Sequence, residues 1–62
     1  MTLEAQYRYA THEVMHLVSD EGLTVEHACL RACWAVGNLA ILARLTAEAR
    51  LYFGQHEQAA AE

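Results

Sequence analysis

The sequence contains no proline and no lysine, and only three glycines, two cysteines and one tryptophan. Without proline, no position is forced out of a helix by a locked backbone and a missing N–H. Without lysine, all positive charge falls to Arg8, Arg31, Arg44 and Arg50, which are scattered along the chain and face eight carboxylates, for a net charge of −4. Nucleic-acid binding draws most of its sequence-independent affinity from grouped cations. No such group exists here, so no nucleic-acid partner is expected. The longest nearly apolar run, Ala32 to Ala43, is interrupted by Asn38 and closed by Arg31 and Arg44. It falls short of the ~20 residues that a membrane-spanning helix requires, so no membrane partner is expected either. A basic segment leading into an apolar run and a cleavage site is also missing, which makes the cytoplasm the expected location. Cys29 and Cys33 are four residues apart. On a helix that spacing puts their Cβ atoms about 5–6 Å apart, too far for a disulfide, which wants roughly 3.5–4.5 Å.

The chain has 62 residues beginning at Met1 and is expected to be a complete product with one domain at most. A single core of this size seldom supplies more than ~3–5 kcal/mol, so a staple or a partner is expected to supplement it.

Alanine, leucine, glutamate, arginine and glutamine dominate the sequence, all of them good helix formers, and the chain reads as all-α. Ser19-Asp20-Glu21-Gly22-Leu23-Thr24 is the clearest turn: Gly22 can take the left-handed conformation that ends a helix and Thr24 can cap the next. A short helix 1 is predicted from Leu3 to Ser19, with Thr2 as its cap and Leu3, Tyr7, Ala10, Val14 and Leu17 as its apolar seam. A long helix 2 is predicted from Val25 to Phe53 with two apolar stripes. One is Val25, Cys29, Ala32, Val36, Leu39 and Ala43. The other is Leu30, Trp34, Gly37, Ile41, Leu45 and Tyr52, roughly 150° away at 100° per residue. Residues 1–54 thus form a helical hairpin domain, and 55–62 a polar, alanine-rich tail that either frays or extends helix 2.

Helix 1 can cover only one stripe of helix 2, and it ends well short of the overhang from Ala43 to Phe53. The simplest closed arrangement is a homodimer in which two hairpins form a four-helix bundle. The alternative is a three-helix bundle within one chain, with a break at Gly37-Asn38, where glycine can end one helix and asparagine can cap the next.

His12-Glu13-Val14-Met15-His16 matches the H-E-x-x-H pattern and so resembles the zinc metalloprotease signature, which implies two histidine ligands and a glutamate base. The chain lacks the third ligand and the cleft that such an enzyme needs. It shows no phosphate loop and no nucleophile with a base. An enzyme is therefore not expected, and no cofactor is expected. His12 and His16 with Cys29 and Cys33 have matched i, i+4 spacing, and an antiparallel hairpin would bring them level, so a structural zinc protein is one alternative. A nucleic-acid-associated transcriptional regulator is a weaker one. Protonation of His12, His16, His27 and His56 would carry the net charge towards zero and could make assembly depend on pH. The preferred reading is a small dimeric protein–protein interaction module, a regulator, inhibitor or adaptor of a larger protein, of the kind phages and other mobile elements encode. Its expected contact residues are Leu30, Trp34, Ile41, Leu45, Tyr52, Phe53 and Tyr9, because large aromatic and aliphatic side chains dominate interface energetics.

Overall fold

A computed structural model describes residues 2–61, with side chains through Gly54. The elements are α1 (Leu3–Ser19), α2 (Val25–Val36), a 3₁₀ turn (Leu39–Ile41) and α3 (Leu42–Ala61). Both N-terminal caps fall where the sequence places them. Thr2 Oγ1 accepts the Ala5 N–H at 3.1 Å, and Thr24 Oγ1 accepts the His27 N–H at 3.2 Å. Each satisfies an amide that has no partner within its helix. Gly22, with φ of 71°, turns the chain between α1 and α2.

The long helix expected from Val25 to Phe53 is not continuous. It stops at Val36, and Gly37 takes the left-handed conformation at φ 71°, ψ 29°. The Gly37 N–H bonds the Trp34 carbonyl at 3.1 Å and the Asn38 N–H the Cys33 carbonyl at 3.0 Å, the paired closure that satisfies the last carbonyls of a helix ending in glycine. Asn38 Oδ1 then accepts the Ala40 N–H at 3.0 Å, while its Nδ2 donates to Gln6 Oε1 at 2.9 Å. One asparagine therefore caps the following turn and ties the break to α1. The chain adopts the three-helix form with its break at Gly37-Asn38.

The break also redistributes the two stripes of the expected long helix. Ile41 and Leu45 swing into the core, whereas Leu30 and Trp34, once in line with them, stay outside. The expectation that the Ala43–Phe53 overhang lacks a cover within the chain is corrected: Leu45 and Ala49 are buried and Phe53 packs against the core. The requirement that a second chain cover this stripe goes with it. On α1 the seam holds at Ala10, Val14 and Leu17, with Tyr7 half-buried; Leu3, at the helix start, is exposed. The expectations for the tail, 55–62, and for His56 lie outside the described side chains.

α2 runs antiparallel to both neighbours. Asn38, just past its end, meets Gln6 near the start of α1, and Glu26 at its beginning pairs with Arg50 of α3. Of the ten buried residues among those described, six are alanine or cysteine: Ala10, Ala28, Cys29, Ala32, Cys33 and Ala49. Small residues at the contacts let the helices approach closely, and they leave little room for large side chains at the centre. Val14, Leu17, Ile41 and Leu45 supply the remaining buried bulk.

Candidate functional site

α2 presents Ala28, Cys29, Ala32 and Cys33 inward, so the residues about half a turn away must face out. His27, Leu30, Arg31 and Trp34 stand at i, i+3, i+4 and i+7, one stripe of a helix, and all four are exposed. Trp34, the only tryptophan in the chain, is 72% exposed and Leu30 is 40% exposed. A tryptophan open to water to this degree contributes little to the core of its own chain.

The charge of this stripe follows from where the ion pairs form. Arg8 pairs with Glu4 at 3.3 Å, Arg44 with Glu48 at 3.4 Å, and Arg50 with Glu26 at 2.6 Å. Both Nε and Nη2 of Arg50 reach the same Glu26 oxygen. The backbone N–H of Glu26 itself, and then the Arg50 guanidinium, hold its carboxyl below the usual range. Arg31 is thus the one arginine among the described residues without an ion pair, and the nearest carboxylate along α2 is already engaged. Sequence reasoning singled out Leu30 and Trp34 but not Arg31. The i, i+3, i+4, i+7 spacing was available, as were the i, i+4 pairs of Arg8 with Glu4 and Arg44 with Glu48; the commitment of Arg50 to Glu26 was not.

The remaining expected contact residues do not join this stripe. Ile41 and Leu45 are buried in the core. Tyr9 is exposed on α1, away from its buried seam. Tyr52 and Phe53 stand edge to face, with ring centroids 5.0 Å apart, beside an open groove of ≈ 490 Å³ between α1 and α3 whose floor is Val14, Leu45 and Ala49.

The four residues of the zinc alternative are not brought together either. α1 docks through Ala10, Val14 and Leu17, which turns His12 and His16 outward. His16 Nδ1 lies 2.7 Å from Asp20 Oδ2. Cys29 and Cys33 are free thiols enclosed in the core, where burial, foremost, pushes both thiols up from their ordinary pKa. A thiol so disposed resists forming the thiolate that binds metal. Among the described residues no group of three or more His, Cys, Asp or Glu is placed to hold a metal ion, so His12-Glu13-Val14-Met15-His16 has no third ligand there.

A second polar cluster fastens α1 to α3. The Tyr7 hydroxyl donates to Glu48, and the Arg44 guanidinium lies over the Tyr7 ring, 4.6 Å from its centroid. Burial, then the carboxylate of Glu48, pushes the Tyr7 pKa up to about 12 from 10.0, while the same hydrogen bond holds the Glu48 carboxyl low. A folded state that keeps this proton longer than the unfolded chain loses stability as the pH rises through the window between those two values. Thermal stability of the wild type is expected to fall from about pH 10 upward, and Tyr7→Phe to flatten that decline. Parallel declines in both proteins would detach Tyr7 from the effect.

Among the described residues no helix is long and apolar enough to cross a membrane. The fold and surface define an all-α, three-helix chain with an apolar, cationic stripe on its central helix. No protein-family model matches it, and no significant match appears among curated proteins or solved structures.

Proposed function

We propose that the chain is a small helical protein–protein interaction module, a regulator, inhibitor or adaptor that works by occupying a surface of a larger protein, with the outward stripe of α2 as its contact face. The observation that carries this reading is Trp34, 72% exposed with Leu30 one turn away, above a core built mostly of alanine and cysteine. Tryptophan and arginine are the side chains most enriched where binding energy concentrates, and both stand on this stripe. Binding rather than catalysis is the action proposed. His12 and His16 are exposed, and in the groove between α1 and α3 the Thr11 hydroxyl donates to the Tyr7 carbonyl rather than to His12 beside it.

A residue kept for a partner is dispensable to the fold. At low micromolar concentration, Trp34→Gln is expected to leave the helical circular dichroism unchanged and the unfolding free energy within about 0.5 kcal/mol of wild type. A loss above about 2 kcal/mol would make Trp34 a structural residue and overturn the reading.

A further inference from the structure

Charge decides what the α2 stripe is suited to meet. The protein as a whole is acidic, at −4, yet the stripe carries Arg31 without an ion-pair partner, His27 beside it, and no carboxylate of its own; Glu26 on the neighbouring edge is held by Arg50. The apolar centre, Trp34 and Leu30, is therefore flanked by Arg31 and His27, with Glu26, one turn before Leu30, already committed to Arg50.

Resting on the interaction-module reading, we propose that the partner is an acidic amphipathic protein segment. Its large apolar side chains would cover Trp34 and Leu30 while its carboxylates meet Arg31, whose planar guanidinium can take both oxygens of one carboxylate. A second copy of the chain fits less well. An aromatic side chain buries about 150–250 Å², so Trp34 at 72% and Leu30 at 40% exposure leave only ~250 Å² of apolar surface, against about 800 Å² per partner in a stable complex. Two copies would also bring Arg31 towards Arg31 and one −4 protein towards another. A short segment needs only a small footprint, and it sets carboxylates rather than a second Arg31 against this face.

Trp34, being the only tryptophan, reports directly on the covering of this face. The probe is a synthetic helix-forming peptide with leucines on one face flanked by glutamates, titrated into the full chain while Trp34 emission is followed. Its matched control has glutamine at every glutamate position. The acidic peptide is expected to blue-shift the emission and to bind more tightly than the glutamine peptide, with an advantage that shrinks as salt is added. Arg31→Gln should weaken the acidic peptide by about two- to fivefold, the size of an exposed ion pair, and Arg8→Gln should leave it unchanged. Equal binding of the two peptides, or none by either, overturns the proposal. So does an emission shift driven by the protein's own concentration, which assigns the stripe to a second copy, or tighter binding of a single-stranded oligonucleotide. These outcomes are separable from failure of the module reading itself, which the stability of Trp34→Gln reports without any ligand.

Discussion

Leu45→Ala is expected to abolish cooperative folding at ambient temperature. Leu45 is 1% exposed and is one of the few large side chains in a core otherwise filled by alanine and cysteine. Removing its branched end forfeits the transfer energy and leaves a cavity that close-packed helices cannot refill, a loss of about 2–5 kcal/mol. A core of this size supplies only ~3–5 kcal/mol in all, so the substitution consumes most or all of it. Leu51 is the control: it lies six residues further along α3 on another face, is 66% exposed, and its alanine variant should fall within about 0.5 kcal/mol of wild type. Urea melts followed by circular dichroism would show a sloping, non-cooperative trace for Leu45→Ala and a wild-type midpoint for Leu51→Ala. Equal midpoints for the two variants would contradict the burial of Leu45 by α1 and α2.

The second large effect is a matter of sign. Gly37 has φ 71°, and a Cβ built there meets nothing within 4 Å, so the penalty for alanine at this site is purely one of backbone conformation, about 1–2 kcal/mol. In an uninterrupted helix from Val25 to Phe53 the same substitution would instead stabilise by about 1 kcal/mol, because alanine is the better helix former. Gly37→Ala should therefore lower the urea midpoint at unchanged slope. A raised midpoint would restore the long helix.

The exposed stripe of α2 was half legible. Leu30 and Trp34 lie on a regular helical spacing, and their size marked them. Ile41, Leu45 and Tyr52 lay on the same expected stripe only while helix 2 was taken as continuous. A break of one glycine and one asparagine rotates everything after it, so a periodicity carried across Gly37 assigns the later residues to the wrong face. Tyr9 is exposed, as its place off the apolar seam of α1 implies, whereas Phe53, expected on an uncovered overhang, packs against the core.

Local chemistry therefore settled the all-α class, the bounds of α1, the turn at Gly22 and the caps at Thr2 and Thr24, because each depends on residues within one or two turns of one another. Only tertiary structure decided between a tolerated Gly37 and a helix end. That choice depends on whether burying Ile41 and Leu45, with Asn38 anchored on Gln6, outweighs the backbone hydrogen bonds of an unbroken helix. Tertiary structure also left Arg31 free, because the other three arginines found their carboxylates at positions fixed by helical spacing in two cases, Glu4 and Glu48, and in the third, Glu26, by the packing of α3 on α2.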